Sequence, residues 1–479
     1  LEGAVVNAEI LRYPRGGAGA TGRVIEIVGR PGEIGVDTEI VIRKHHLPHV
    51  FPPEVAAEAR ERARPVSVAD VEPVGREDFR HLPIVTIDGE TARDFDDAVY
   101  VERRAEAWHL QVHIADVSHY VRVAGALDGE ARLRGTSVYF PERAVPMLPE
   151  ELSSGICSLN PQEERLVLSA LMEFDVAGRM QKARFTTGVI RSAARMTYTN
   201  VNKVLEGDAE MTARYSDLAP HFRNMRELAL LLNARRSGAG SIDFDLPEPV
   251  IEFDEEQQII AISRSERNIA HRLIEEFMLA ANRAVASYLA DRGFASLHRV
   301  HEKPDVKKVL EFEELAAAFG YSLDVEGLIQ RVVPVRHGRT PAPARPGRPD
   351  SYAHGRERPM RVALPGLGPG AEFPITPRHY QRLVEKLAGK TEERILSYLM
   401  LRSLKQARYA AEPLGHFALG FDRYTHFTSP IRRYPDLIVH RILKWALAHP
   451  EVRGAPGRAV APAPAPPRGV EAASYSRVH

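Results

Sequence analysis

The chain has 479 residues, and its 64 Lys+Arg are matched by 64 Asp+Glu, so a net charge of zero gives no overall basic bias toward nucleic acid. A local basic groove balanced by acid elsewhere remains compatible with that sum. Hydrophobic content of 44% and charged content of 27% fit an ordinary soluble globular chain of roughly two to four domains. Cys157 is the only cysteine, which excludes an intrachain disulfide framework and a Cys-based zinc cluster, and a reducing, cytoplasmic setting is expected. No apolar run approaches the roughly 18 residues of a membrane span. The opening LEGAVVNAEI has neither the layout of a signal peptide nor an initiator Met, as expected of a processed chain or a fragment.

Residues 1–46 alternate as short strands, AVVNAEIL, GRVIEIVG and TEIVIRKH, separated by Gly/Pro/Asp-rich turns, which predicts part of a small β-barrel. EVAAEARERAR (54–64) reads as a helix leading into a connector. From 82 onward the stretches LPIVTID, AVYVER and WHLQVHIADV read as strands. Helical periodicity then dominates 219–236, 267–290, 304–319, 378–410 and 434–448. Strands first and helices later predict an α+β catalytic region. Two segments break the pattern: the Pro/Gly/Arg-rich stretch around 336–361, expected to be a mobile insertion, and the Pro/Ala linker GAPGRAVAPAPAPPRG at 454–469. The insertion's arginines allow an RNA or DNA contact as well as plain solvation.

TIDGETARDFDDAV (86–99) gathers Asp88, Asp94, Asp96 and Asp97 just before an apolar run. Neighbouring carboxylates repel and raise one another's pKa unless a cation offsets them. Magnesium takes hard oxygen ligands, and a pair of such ions promotes phosphodiester cleavage. The calcium-loop pattern D-x-[DN]-x-[DN]-G is not spelled. Taken alone, the cluster reads as a solvated loop or as a cation site.

TIDGETARDFDDAVYV, HIADVSHYV, RGTSVYFPERAVPMLPEELSSGICSLNP and HFTSPIRRYPDLIVHR occur in the order and wording of the RNase II/RNase R exoribonuclease family. LHRVHEKPD and LMLRSLKQARY extend the match, and SIDFDLPE and RRYPDL resemble the RNase R branch. The resemblance covers roughly residues 75–450. It implies an RNB-type α+β catalytic domain, a mixed or antiparallel sheet with surrounding helices, over 76–453. An incomplete cold-shock-like OB domain at 1–50 and a connector at 51–75 precede it, with the insertion spanning 336–375. The resemblance also implies processive 3′→5′ hydrolysis of single-stranded RNA to nucleoside 5′-monophosphates, with one or two Mg²⁺ ions and Mn²⁺ as a substitute.

Residue by residue, the resemblance makes Asp88, Asp94, Asp96 and Asp97 the metal and catalytic aspartates, with Asp96 the most direct in chemistry. It makes Tyr139 and Phe244 a stacking clamp on the terminal base, where stacking is worth about 1–3 kcal/mol and tolerates any sequence. Tyr198 matches a tyrosine that sets end-product length, and Glu275 matches a glutamate that contacts the final ribose. Arg432, in SPIRRYP, matches the arginine at the scissile phosphate, a role suited to its planar fork. For the aromatics core packing, and for Glu275 an ion pair with His271 or Arg272, are the competing structural readings. His113, His119 and His440 lie inside matched motifs without ligand spacing and are expected to be structural. The family's first cold-shock domain, its C-terminal OB-fold RNA-binding domain and a glutamate-bearing helix have no counterpart in these residues. The expected protein is a monomeric exoribonuclease without an obligate protein partner or a membrane. A catalytically impaired RNA-binding protein and a metal-dependent DNase are the alternatives.

Overall fold

The computed structural model describes residues 2–17, 19–72, 75–244, 249–254, 259–264, 267–325 and 374–453. The expected insertion lies outside the described residues apart from positions 374 and 375, and the linker at 454–479 lies outside them entirely. The chain divides into two compact units: the first comprises Leu1–Ala239, Asp245–Glu302 and Gln406–His479, the second Gly240–Phe244 and Lys303–Lys405. Among the described residues no helix is long and apolar enough to cross a membrane.

The first unit opens with an antiparallel hairpin of β1 (Val5–Arg12) and β2 (Thr21–Gly29). The third expected strand, TEIVIRKH, is instead part of a helix, Val36–Lys44. Its short apolar run fits both periods, and the ends decide between them. Asp37 and Glu39 occupy the first turn and Arg43 and Lys44 the last, complementing the helix dipole, while Thr38 and Ile42 bury one face. The helix Pro53–Arg62 begins with proline at its first position and buries Val55 and Ala59.

A seven-stranded mixed sheet forms the centre of this unit. It uses β3 (Glu77–Asp78), β4 (Val85–Asp88), β5 (Asp97–Arg104) and β6 (Ala107–Ala115). A separate ribbon, β7 (Val138–Tyr139) with β8 (Ala144–Val145), interrupts the series. The sheet resumes with β9 (Glu164–Asp175), β10 (Met180–Arg191) and β11 (Ala194–Thr197), in the order β11-β4-β5-β6-β9-β10-β3. Only β11/β4 and β10/β3 pair in parallel. Val99, Val101, Leu110, Val112 and Met172 point to one face, where the helices Ala219–Ala239 and Ile269–Asp291 cover them. Ala98, Tyr100, Val167 and Ile190 point to the other, against Val55, Leu127 and Leu437. Each fully buried side chain of this size contributes about 1.5–3 kcal/mol. Beyond the sheet lie a hairpin of β12 (Pro249–Phe253) and β13 (Ile259–Arg264) and a ribbon of β14 (His298–Val300) with β15 (Arg408–Ala410). The helix Tyr434–Ala448 is the last element among the described residues.

In the second unit, helices Val306–Ala318, Pro377–Leu387 and Glu393–Ser403 pack through Val309, Phe312, Tyr380, Leu383, Leu396 and Met400. The single helix expected over 378–410 is thus two, parted at Gly389, whose φ of 72° suits glycine.

Candidate active site

β4 ends on Asp88 and its antiparallel neighbour β5 begins on Asp97, so the 89–96 loop delivers the other two aspartates to the same sheet end. GICSLNP, a motif of ordinary small residues, clamps that loop. Ser158 Oγ accepts from the Phe95 N–H at 3.0 Å and donates to the Arg93 carbonyl at 3.0 Å, while Leu159 N–H donates to the Phe95 carbonyl at 3.0 Å. Arg195 holds the other limb, donating to the Gly89 carbonyl at 3.0 Å and the Glu90 carbonyl at 2.5 Å.

Asp96 is 5% exposed. Its Oδ1 accepts from the Ile431 N–H at 2.8 Å, whereas Oδ2 is buried with no hydrogen-bond donor and lies 3.8 Å from Arg432 Nε. Burial drives this carboxyl well above the ordinary carboxylate range, with Asp94 and Asp97 pushing the same way and Arg432 opposing. Asp97 is pushed up to about 7, by burial first and by the Asp88 charge next. Asp88 is also raised by burial and by Asp94, against its own hydrogen bond from the Gly89 N–H at 2.7 Å. Asp94 accepts from the Tyr139 hydroxyl at 2.9 Å.

Among the described residues, no three His, Cys, Asp or Glu side chains converge on a metal-sized point. Asp88, Asp94 and Asp96 each accept from a different donor, the Gly89 N–H, the Tyr139 hydroxyl and the Ile431 N–H. The donor set itself fits a hard divalent cation: acid oxygens only, with Asp96 Oδ2 buried and without a hydrogen-bond partner among the described residues.

All four aspartates line one cleft of about 1040 Å³, together with Tyr139, Tyr198, Glu275 and Arg432. Tyr139, on β7, is 55% exposed. Tyr198 opens the helix Tyr198–Glu206, immediately after Thr197, which pairs with Asp88. It is half-buried and stacked on His271 at 4.0 Å between ring centroids. Glu275 lies half-buried on the helix Ile269–Asp291 and pairs with Arg267, instead of with His271 or Arg272. Its neighbour Glu276 is buried and held by Arg236 at 2.7 Å. Phe244 is half-buried and belongs to the second unit, Tyr139 to the first.

The two arginines of SPIRRYP differ. Arg433 is largely buried and donates to the fully buried Asp436 at 2.6 Å, which also accepts from the Ser429 N–H at 2.8 Å. The Arg432 side chain is 42% exposed and donates to Ser429 Oγ at 3.0 Å. Of the unassigned histidines, His113 meets Ser169 Oγ at 2.8 Å and His440 the Phe427 carbonyl at 2.7 Å, both fully buried. His119 lies 3.4 Å from Asp70. The cleft wall also contains Asn282, Tyr424 and His426, which lie within or beside matched motifs but carry no signal of their own in a single sequence.

The RNB domain profile matches residues 76–449 and the cold shock domain profile residues 1–52. Ribonuclease R of Aquifex aeolicus is 38% identical over 94% of this chain and 57% of its own length. The structure of Mycoplasma genitalium RNase R in complex with double-stranded RNA superposes with a TM-score of 0.77 at 27% identity, covering 94% of this chain and 71% of that one. The same protein in complex with ribose-methylated single-stranded RNA gives 0.74 at 28% identity, covering 90% and 60%. The chain spans about half the length of the curated relatives it matches. With the RNB profile matched across its sheet, its aspartate loop and its arginine loop, the chain belongs to the RNB-domain family.

Proposed function

We propose that this chain carries the catalytic domain of a 3′→5′ exoribonuclease that hydrolyses single-stranded RNA processively to nucleoside 5′-monophosphates. The observation that carries the reading is the buried Asp96 carboxylate, its Oδ2 without a hydrogen-bond donor and 3.8 Å from the Arg432 guanidinium, inside a cleft that also presents Tyr139. Ribonuclease R relatives and the RNA complexes of the Mycoplasma genitalium protein support the same class.

In this reading Asp88, Asp94, Asp96 and Asp97 hold Mg²⁺. When bound, the cation supplies Lewis-acid activation for attack on the phosphodiester. The chain's own residues place the strand. Tyr139 stacks on a base without regard to its identity. Arg432 binds the scissile phosphate, and its fork matches the charge that grows on the phosphoryl oxygens in the transition state. Glu275 accepts from a ribose hydroxyl, a contact that separates RNA from DNA. Tyr198, which follows Thr197, the register partner of Asp88, limits how short a product still reaches the aspartates.

The test is 5′-labelled RNA with Mg²⁺, wild type against Asp96→Asn. A ladder descending from the 3′ end only with wild type is the expected result. Internal cuts, equal activity of the variant, or equal cleavage of DNA of the same sequence would overturn the reading. Tight binding without nucleotide release would indicate an RNA-binding protein instead.

A further inference from the structure

His426 lines the cleft. Its Nδ1 lies 2.7 Å from the Tyr409 hydroxyl. Its ring is wedged edge-on between two tyrosines, Tyr409 at 5.5 Å and 76° and Tyr424 at 5.7 Å and 83°. Tyr409 is fixed in turn by the β14–β15 ribbon, in which it pairs with Arg299, whose guanidinium sits 4.8 Å over the tyrosine ring. Tyr424 is fixed by Asn282, which donates to its hydroxyl at 3.1 Å and accepts from the Phe427 N–H at 2.8 Å.

With the Tyr409 hydroxyl donating to Nδ1, the proton of a neutral imidazole stands on Nε2, and this is the tautomer the inference uses. Burial, with the Arg433 charge next, lowers the His426 pKa to about 3, so the ring is neutral at working pH. Nε2–H has no partner among the described residues and is not sealed from solvent. Glu275 lines the same cleft, and its charge reaches the neighbouring Tyr424. A hydroxyl both donates and accepts, so a carboxylate and an imidazole N–H together satisfy one.

We propose that His426 is a further substrate-contacting residue of this cleft, its Nε2–H donating to a ribose hydroxyl oxygen at the RNA 3′ end for which Glu275 is the acceptor. Tyr409 is the positioning residue that aims it. The inference rests on the exoribonuclease reading and adds a recognition element to it.

The experiment measures binding by fluorescence anisotropy in EDTA and degradation in Mg²⁺. The RNAs end in ribose, in 2′-deoxyribose or in 3′-deoxyribose. His426→Ala is expected to weaken binding and raise KM about fivefold on the ribose-ended RNA, with little change in kcat. It should have no further effect on whichever deoxy-ended RNA lacks the contacted oxygen. His426→Gln, which keeps an N–H near the Nε2 position, should recover most of the loss, and Tyr409→Phe should reproduce part of it. Equal losses on all three RNAs, or wild-type binding by His426→Ala, overturn the inference. A wild-type chain that binds but releases no nucleotide sinks the exoribonuclease reading, whereas the His426 contact is still supported if His426→Ala loses affinity only for the ends that carry the contacted oxygen.

Discussion

Asp96 and Ile431 stand 335 positions apart and are joined by a 2.8 Å hydrogen bond from the Ile431 N–H to Oδ1. That bond ties the aspartate loop to the arginine loop and leaves the other Asp96 oxygen near the Arg432 guanidinium. Two parts of the candidate site are therefore a single hydrogen-bonded unit.

Asn and Ala at position 96 should separate the structural role of this bond from its chemical one. Asp96→Asn keeps an acceptor for the Ile431 N–H and removes a buried charge, so it should fold at least as stably as wild type without metal. Its exonuclease activity should fall at least about a hundredfold. Asp96→Ala leaves the N–H without its partner and should cost about 1–3 kcal/mol in addition. Urea denaturation in EDTA, beside the labelled-RNA assay, checks both; an active Asn variant would remove Asp96 from the chemistry.

Asp97, raised to about 7 by burial and Asp88, makes a pH prediction with a definite sign. The folded state binds this proton more tightly than the unfolded one, so the stabilisation it gives is present at low pH. It is lost as pH climbs from the ordinary carboxylate range to about 7. Without metal, the wild-type Tm should therefore fall over that window relative to Asp97→Asn. Mg²⁺ competes with the proton and should raise the wild-type Tm more at pH 8 than at pH 6. A Mg²⁺ shift independent of pH, or unchanged in Asp97→Asn, would contradict this assignment.

Much of this site was legible because its residues lie in long contiguous words: the aspartate stretch, SVYFPE and SPIRRYP. What was not legible has physical causes. β9 is buried on both faces through most of its length, so it lacks the alternation by which a strand is read, and its partner β10 went unread with it. The helix Val36–Lys44 carries a run that fits two periods, and its tertiary packing decides. The helix break at 389 turns on one glycine's φ. His426 and Tyr409 are 17 positions apart, and their link depends on a ribbon built with residues 298–300, a contact no local pattern encodes.

Glu275 and Glu276 are adjacent but face different surroundings, and substitution should sort them. Glu276 is buried in an ion pair with Arg236 and also accepts from Asn233 at 2.9 Å. Glu276→Ala removes the buried carboxylate that accepts from both Arg236 and Asn233, and should cost about 1–3 kcal/mol of stability. Glu275 is partly exposed, so Glu275→Ala should shift stability by less than about 0.5 kcal/mol while weakening the preference for RNA over a 2′-deoxy-ended strand. Chemical denaturation and a comparison of the two substrates check the pair. A large stability loss at 275 would make it a packing residue.

Asp116, in HIADVSHYV, joins the sheet to the helix that follows SPIRRYP. It is fully buried, accepts from Arg76 at 2.7 Å, and receives Lys444 Nζ at 3.0 Å on both oxygens. Burial alone would raise its pKa, but the two cations more than offset that and hold it well below the usual carboxylate range. Its contribution is therefore complete at neutral pH and fades only as pH drops below the ordinary carboxylate range toward that lowered value. Asp116→Ala leaves two cations facing each other and should cost about 3–5 kcal/mol. Lys444→Met removes one cation but leaves Asp116 paired with Arg76, and should cost less. Because this helix begins at Tyr434, two residues after Arg432, loosening it should also raise KM for RNA, and Lys444→Met should show that effect while still folded. Urea curves and kinetics for the two variants test this, and an Asp116→Ala protein as stable as wild type would show that the triad does not secure the arginine loop.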